Sequence, residues 1–352
     1  MLCFLLSSNV LLVINDSIYP SIKPRVDTFS LDLQSDGYSV HLFLWNKSNS
    51  CETLRGFLRS FWQSFGLEGA IFIGELPVAL LYDSYYGKAY PADVFYMDLD
   101  GTWIDSNHNG QYEGYEGDRQ AEIWVGRIMG HNLTYGGYQE SEIINAYLER
   151  NHHYRNGRLS FSDEALLFFD EWQATNGFLA YHNISSLFWA REIFADSSNT
   201  DSAHYTQAIT AKNLGWLRIE THSTPLAHQF TTGSGYTYFY SSQIPTLDPR
   251  ITFLENSGCS ASDFTVNDCL GCWYVFNPEG SGLAGIGVTS AGGVGFDSKS
   301  YELLAEYSTL GKAFLNWFNR VILGNPQDYY PCVFFGDPTL RLRREIARRE
   351  VL

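Results

Sequence analysis

Apolar strand-like runs alternate with helical-period segments over residues 10–74, and this alternation limits the chain to a small set of folds. Val10 to Ile14 and Gly69 to Gly74 are compact apolar runs typical of buried strands, and Tyr38 to Leu44 alternates as an amphipathic strand does. Between them, residues 17–36 and 51–65 repeat apolar side chains at helical spacing. The order strand, helix, strand, helix, strand predicts an α/β fold with a mostly parallel sheet flanked by helices.

The rest of the chain repeats this pattern, and its length favours two packed α/β subdomains. At 352 residues the chain exceeds the size at which a single core keeps growing. Asn156-Gly157 predicts the boundary between an N-terminal subdomain at residues 1–156 and a second subdomain at 157–345. The first subdomain carries an insertion at about 83–120, and a basic tail at 346–352 follows the second. The further predicted elements are strands at 94–97, 122–125, 165–169, 214–220, 251–254, 283–288 and 333–335, and helices at 138–154, 178–194, 269–276 and 310–323.

Composition argues against several classes of protein. Hydrophobic residues make up 45% of the chain and charged residues only 18%, as in folded globular proteins. The net charge of −16 argues against a nucleic-acid or anionic-membrane partner. No apolar run is long enough to span a membrane, and the opening MLCFLLSS lacks the basic region and cleavage site of a signal peptide, so we interpret it as domain sequence. The absence of P-loop and G-x-S-x-G motifs argues against an α/β enzyme of another kind.

Cys259 lies in a small polar loop that follows the predicted strand at residues 251–254. Loops at strand ends hold reactive side chains over a rigid sheet. His222 follows the predicted strand at 214–220, so the two side chains can meet if the two strands are neighbours. A buried structural cysteine is the alternative, and His228 in the same loop is the competing base. Sequence spacing alone leaves both alternatives open.

The other cysteines do not indicate a disulfide framework or a zinc site. The six cysteines, at positions 3, 51, 259, 269, 272 and 332, are too sparse and irregular for a framework. Cys269 and Cys272 form a lone C-x-x-C without a second pair. Two structural thiols on one helix is therefore the better interpretation.

Residues 105–116 match the calcium-loop pattern D-x-[DN]-x-[DN]-G-x5-E in full. Gly110 allows the sharp turn, and Asp98 and Asp100 just before the loop can add ligands. The flanking segments are predicted strands, unlike the helices of an EF-hand, and a plain Asx-rich turn is the alternative. We expect a structural calcium ion of modest affinity, since two ligands are asparagines. The predicted ligands are Asp105, Asn107, Asn109, Gln111 and Glu116.

Seven segments occur in a specific order and spacing along nearly the whole chain. They are LLVINDSIYPSIKPRVDTFSLDLQSDGYSV, GAIFIGELP, AEIWVGRI, ETHSTP, SGCSASDF, GLAGIGVTSAGG and FFGDPTLRL. No single segment is decisive, but together they resemble the gingipain-like cysteine peptidases, which have a caspase-like fold.

The resemblance implies a cysteine endopeptidase that acts on protein or peptide substrates without an organic cofactor. Cys259 would be the nucleophile, His222 the general acid/base, and Glu122 the acidic residue that supports His222. The backbone N–H groups of Cys259 and Ser223 would donate to the oxyanion. The resemblance also implies a preference for basic P1 residues and an extracellular or cell-surface location. From the residues alone, Glu122 can equally be a strand-end carboxylate paired with Arg127 or Lys88.

The chain departs from the family around both catalytic residues. Thr221 and Ser223 flank His222 where the family has glycines, and residues 260–263 replace a glycine-containing loop after Cys259. A Cβ at Ser223 would narrow the approach of the substrate backbone to the oxyanion site. These departures motivate the alternative of a catalytically decayed, calcium-stabilised binding module on a peptidase scaffold.

Overall fold

The computed structural model describes residues 8–159, 162–306 and 308–342, so the segment before residue 8 and the basic tail from residue 343 lie outside the described residues. The strands are β1 (Asn9–Asn15), β2 (Ser39–Trp45), β3 (Gly69–Ile73), β4 (Leu80–Asp83), β5 (Lys88–Pro91), β6 (Thr102–Ile104), β7 (Gln111–Tyr112), β8 (Gly114–Glu116), β9 (Trp124–Ile128), β10 (Glu164–Phe169), β11 (Ala190–Phe194), β12 (Leu214–Glu220), β13 (His222–Thr224), β14 (Ala227–Thr232), β15 (Gly235–Tyr240), β16 (Ile251–Asn256), β17 (Ala284–Val288) and β18 (Cys332–Gly336). The α-helices are α1 (Tyr19–Ser35), α2 (Cys51–Phe65), α3 (Val94–Met97), α4 (Glu140–Arg155), α5 (Ala174–Asn183), α6 (Ser202–Thr210), α7 (Ile244–Leu247), α8 (Leu270–Phe276), α9 (Ser298–Ala305), α10 (Leu310–Val321) and α11 (Pro326–Tyr329).

A 10-stranded sheet forms the centre of the molecule, with the strand order β11-β10-β12-β16-β17-β18-β9-β3-β1-β2. Neighbouring strands are parallel except at β17 and β18. The strands from β11 to β17 therefore point one way and those from β18 to β2 point the other way. The predicted α/β class with a mostly parallel sheet is confirmed. The sheet is continuous, and the proposed subdomain boundary at Asn156 stays a prediction.

Helices bury apolar stripes on both faces of this sheet, which explains the helical spacing in the sequence. In α1 the buried residues Ile22, Val26, Phe29 and Leu33 recur about every four positions. Each such side chain contributes about 1.5–3 kcal/mol when it leaves water. The helix α2 begins at Ser50, whose side chain accepts the Thr53 N–H. Among the described residues, no helix is both long and apolar enough to span a membrane.

The predicted strand at 94–97 is wrong, because Val94–Met97 forms a single helical turn, α3. All four side chains of this turn are buried. A short apolar run that is buried on every side has no periodicity that distinguishes a strand from a helix.

The predicted helix at 178–194 is correct only in its first part. The helix α5 ends at Asn183, and Ala190–Phe194 is the edge strand β11, parallel to β10. The core-facing residues of α5 are small, because Gly177 lies against the Phe169 ring, where a Cβ would come within 2.9 Å. The large residues that suggested one long helix, Phe178 and Trp189, are exposed.

Candidate active site

His222 and Cys259 follow the carboxyl ends of two neighbouring parallel strands. Ile219 of β12 is paired with Asn256 of β16, and the Ser257 N–H donates to the Ile219 carbonyl at 2.9 Å. Parallel strands end at the same edge of a sheet, so both residues lie on one rim. The structure thus places His222 and Cys259 in adjacent loops, as predicted.

These two loops are in direct contact. A Cβ built on Gly258 would lie 2.0 Å from Ser223 Oγ and 2.7 Å from Ser223 Cβ. Real Cβ atoms essentially never approach another atom so closely. The glycine before Cys259 therefore lets the two loops pack against each other, and only a residue without a side chain fits there unless the loops shift.

The loop that carries Cys259 is held by backbone hydrogen bonds on both sides of the cysteine. The Ser260 N–H donates to the Ser290 carbonyl at 2.9 Å, and the Ser262 N–H donates to the Val288 carbonyl at 3.0 Å. Ser260 has a φ of 58°, in the left-handed region, which turns the chain sharply after Cys259. The half-buried Cys259 keeps its own N–H without an acceptor among the described residues. This donor is thus free to bind an oxyanion.

The hairpin that begins at His222 leaves the Ser223 N–H without an acceptor in the described part of the chain. Thr224 pairs with Ala227 across a two-residue turn, and such flanking residues exchange hydrogen bonds with each other. The next pair, Ser223 and His228, is therefore a non-hydrogen-bonded pair whose N–H groups point away from the partner strand. The Ser223 side chain faces inward, where Oγ lies 2.8 Å from His228 Nδ1. Its Cβ consequently does not point to the exposed face that carries His222.

His228, the competing base, lies in a closed environment. It is fully buried, and it lies among the rings of Tyr205, Phe239 and Tyr274. Burial lowers the pKa of His228 to about 3, because the charged imidazole loses its hydration. His222 by contrast is exposed at the rim beside Cys259. The geometry therefore favours His222 as the base.

Trp172 is the residue in contact with His222 that the sequence analysis missed. Its indole stacks on the His222 ring with centroids 4.9 Å apart and planes 19° apart. The indole Nε1–H donates to Asp170 Oδ2 at 3.2 Å, and the buried Asp170 carboxylate also accepts the Thr231 N–H and hydroxyl. Trp172 follows the end of β10, which is the other neighbour of β12. No motif marks it, and its position after a strand end is the only signal in the sequence.

Glu122 is not brought to His222. It precedes β9, and four strand spacings separate β9 from β12, which is roughly 19 Å across the sheet. Its carboxylate accepts the N–H groups of Leu99 and Asp100, and no hydrogen bond or ion pair joins it to His222, Arg127 or Lys88 in the described part of the chain. Arg127 instead pairs with Asp93 at 2.6 Å.

A cleft of about 380 Å³ opens beside the two catalytic loops. Ser257, two residues before Cys259, and Glu220, two residues before His222, both line it. Arg218 lies in its wall, 3.5 Å from the Glu220 carboxylate, and the Asn176 amide approaches Glu220 at 3.4 Å. The cleft therefore lies directly beside the loops that carry His222 and Cys259.

The Asp/Asn-rich loop is a β-hairpin turn that brings only part of the predicted ligand set together. The oxygens of Asp105, Asn107 and Asn109 accept backbone N–H groups inside the loop. Glu116 pairs with Thr102 in β8 and β6, three residues along the strands from Asp105, which is about 10 Å. The structure thus places Glu116 away from the loop tip.

A separate carboxylate cluster lies close to this hairpin. One oxygen from each of Asp98, Asp100 and Glu122 lies within 4.8 Å of the others. Burial and the adjacent carboxylates raise the pKa of Glu122 to about 7, although the Leu99 N–H opposes the rise. Asp98 is fully buried; its carboxylate interacts with the Tyr115 hydroxyl, and its Oδ2 has no hydrogen-bond partner among the described residues.

The two cysteines of the C-x-x-C segment lie in the core. Cys269 and Cys272 are buried at the start of α8, and burial raises the pKa of the Cys269 thiol. Among the described cysteines, only Cys51 and Cys259 are partly exposed.

Comparison with known proteins identifies one family. The model of Peptidase family C25 matches residues 52–343. No curated protein matches the chain significantly. Similar solved structures include a periplasmic binding protein/LacI transcriptional regulator from Alkaliphilus metalliredigens complexed with D-xylulofuranose (12% identity, 80% of this chain and 84% of that chain, TM-score 0.21). Another is a branched-chain amino acid transporter substrate binding protein from Streptococcus pneumoniae (9% identity, 93% of this chain and 79% of that chain, TM-score 0.21). These low TM-scores carry no argument about this chain.

Proposed function

The chain belongs to peptidase family C25, the gingipain family of cysteine peptidases with a caspase-like fold, and we propose that Cys259 is its nucleophile and His222 its general acid and base. The Cys259 thiolate attacks the carbonyl carbon of the scissile peptide bond. The N–H groups of Cys259 and Ser223 stabilise the oxyanion that forms. His222 protonates the leaving amine, which departs and leaves an acyl-enzyme.

Deacylation uses the same residues in reverse. His222, now neutral, takes a proton from a water molecule that attacks the acyl carbonyl, and the proton then returns to the Cys259 sulfur. Trp172 holds the plane of the His222 ring in both steps, and its π-face favours the protonated imidazole. The observation that carries this assignment is the contact between the two strand-end loops at Gly258 and Ser223.

Alkylation and substitution test the nucleophile. We expect iodoacetamide and Cys259→Ala each to abolish hydrolysis of a fluorogenic peptide. Cys51→Ala is the matched control, because Cys51 is the other partly exposed thiol in the described part of the chain. Full activity of Cys259→Ala would contradict the assignment of the nucleophile. No cleavage of a peptide library by the wild type would instead favour a decayed binding scaffold.

We also propose that the cleft beside Ser257 binds a basic P1 side chain through Glu220. Among the described residues, its carboxylate has only the long contacts to Arg218 and Asn176, so it can accept hydrogen bonds from an arriving guanidinium or ammonium group. Charged hydrogen bonds of this kind contribute about 1.5–3 kcal/mol, roughly 10- to 100-fold in rate. Glu220→Gln should lower kcat/KM by this factor for Arg and Lys at P1 and not for Leu. Glu192→Gln, on the edge strand β11, is the control, and an unchanged P1 profile in Glu220→Gln refutes the role.

A structural calcium ion is the second part of the proposal. The carboxylates of Asp98, Asp100 and Glu122 offer hard oxygen ligands, and a cation would satisfy the unpartnered Asp98 oxygen and the crowded charge. Asp105, Asn107, Asn109 and the Gln111 carbonyl offer a second, weaker set. Neutral asparagine ligands suit the millimolar calcium outside cells, which supports an extracellular location.

Calorimetric titration and thermal melts with and without chelator test both sets of ligands. Glu122→Gln should remove the tighter binding and Asp105→Asn the weaker, whereas Asp118→Asn, an exposed carboxylate in the same insertion, should change neither. No heat and no shift in Tm on adding calcium would rule out both sites.

A further inference from the structure

The small sheet formed by β13, β14 and β15 has one buried face and one exposed face. Ser223 pairs with His228, and His228 pairs with Phe239. His228 and Phe239 are fully buried, and the half-buried Ser223 points its Oγ at His228. Residues that are paired directly share a face, and successive residues alternate between faces. His222 and its paired residues therefore belong to the opposite, solvent-facing side.

Three tyrosines occupy this exposed face. His222 pairs with Gln229, and Gln229 pairs with Tyr238, so these three form one row across the sheet. Tyr236 and Tyr240 flank Tyr238 at two-residue intervals and face the same way. The tyrosines are 59%, 42% and 50% exposed in chain order, and the rings of Tyr238 and Tyr240 are stacked with centroids 6.1 Å apart. We call these three residues the tyrosine stripe.

The chemistry of the site determines which part of a substrate passes over this face. His222 protonates the amine of the leaving group, so the residues on the carboxyl side of the scissile bond must begin beside His222. The P1 side of the substrate faces the cleft at Ser257 and Glu220 instead. A substrate peptide that runs from His222 along this row reaches Tyr238 after two strand spacings, which is about 10 Å. An extended peptide covers this distance in about three residues.

Resting on the proposed function, we propose that the tyrosine stripe is a primed-side subsite that binds an apolar side chain about three residues beyond the scissile bond. Tyrosine rings offer large apolar faces with few rotamers to immobilise, so they bind aliphatic, aromatic and proline side chains at low entropic cost. The occupant is the substrate polypeptide, because the stripe is continuous with the face that carries the catalytic histidine.

Two substrates with the same P4–P1 sequence test the subsite. One ends in an aminomethylcoumarin leaving group, which is too short to reach the stripe, and the other is an internally quenched peptide with Leu at P3′. We expect Tyr238→Ser to lower kcat/KM for the Leu peptide by about tenfold, the effect of uncovering part of one leucine. Hydrolysis of the coumarin substrate and of a peptide with Asp at P3′ should be unchanged. Tyr85→Ser, another exposed tyrosine outside this sheet, should match the wild type on all three substrates.

Several results would overturn the subsite. Equal slowing of all three substrates would mean that Tyr238 supports the fold or the catalytic loop, and Tm values of the variants would show which. No effect on the Leu peptide would remove the subsite. If the wild type hydrolyses no substrate, the proposed function is wrong but the subsite can still be tested. Titration of the Leu and Asp peptides into Cys259→Ala then replaces the rate assay. In that titration, tighter binding of the Leu peptide that Tyr238→Ser weakens supports the stripe, and equal or absent binding refutes it.

Discussion

Gly258 lies where the two catalytic loops touch, and its replacement by alanine is the most direct test of the site. The added Cβ would lie 2.0 Å from Ser223 Oγ and 2.7 Å from Ser223 Cβ. Non-bonded heavy atoms prefer about 3.5–4.0 Å, so the His222 and Cys259 loops must separate by roughly 1 Å or more. A displacement of about 1 Å in a catalytic group can cost about 100-fold in rate. We expect Gly258→Ala to lower kcat/KM for a fluorogenic peptide by about this factor.

A second substitution separates this clash from general damage. Ser223→Gly removes the two closest atoms that the new Cβ would meet and leaves only Asn256 Oδ1 at 3.3 Å, so the double variant should recover most of the rate that Gly258→Ala loses. Ser223→Gly alone keeps the backbone N–H that donates to the oxyanion. It removes the hydroxyl partner of the buried His228 Nδ1, at a cost of about 1–3 kcal/mol in the free energy of unfolding. Its rate should remain within about tenfold of the wild type, and its Tm should fall.

The assay is kcat/KM of the four proteins, each measured well below its own Tm. The rate loss of the double variant should be much smaller than the product of the two single losses, because the two sites share one contact. Two results refute the reasoning: wild-type rates in Gly258→Ala, or a double variant no faster than Gly258→Ala. Either would mean that the His222 and Cys259 loops do not pack as described.

Two further substitutions test the surroundings of the two histidines. Trp172→Ala should lower kcat about 3- to 30-fold with less change in KM, because the His222 ring loses a stacking contact worth about 0.5–2 kcal/mol. Trp172→Phe keeps an aromatic ring and should restore most of the rate. If Trp172→Phe is no faster than Trp172→Ala, Trp172 does not position His222. Burial keeps His228 neutral in the folded state down to about pH 3, whereas in the unfolded chain the same imidazole is protonated near pH 6.5. The contribution of neutral His228 to stability is therefore fully present above pH 6.5 and is lost as the pH falls towards 3. The loss amounts to about 1.4 kcal/mol in the free energy of unfolding per pH unit. Between pH 6.5 and 4.5, urea unfolding should therefore show a smaller decrease in this free energy for His228→Gln than for the wild type. Equal decreases in the two proteins would show that His228 is not the group responsible.

The parts of the fold that could be predicted from the sequence are those whose environment is uniform along the segment. β12 is a continuous apolar strand buried between neighbours, and its predicted bounds are those of the structure. The predictions of a strand at residues 94–97 and of a helix through residues 190–194 were wrong, because neither segment has a hydrophobic periodicity over a long enough stretch. Their conformations depend on what packs around them: α3 is enclosed on all sides, and β11 is a strand only because β10 offers it a free edge.

The same distinction explains which site residues could be predicted. The proximity of His222 and Cys259 could be predicted because each follows a strand that is recognisable locally, and parallel pairing of β12 with β16 brings their loops together. Their catalytic roles stay predictions. The distance of Glu122 from His222 depends on the order of strands in the sheet, and no local sequence pattern predicts that order. The antiparallel pairing of β17 with β18 inserts two strands between β16 and β9 and so puts Glu122 four spacings from the base.

Sheet order also identifies where a third group must come from. His222 follows β12, which has two neighbours in the sheet, and Cys259 follows one of them, β16. A side chain that contacts His222 from the other side must therefore follow the end of β10. That end reads Asp170-Glu171-Trp172, and the buried Asp170 carboxylate fixes the indole that stacks on His222. In this chain the group that stacks on His222 is an aromatic ring, and the Asp170 carboxylate positions that ring.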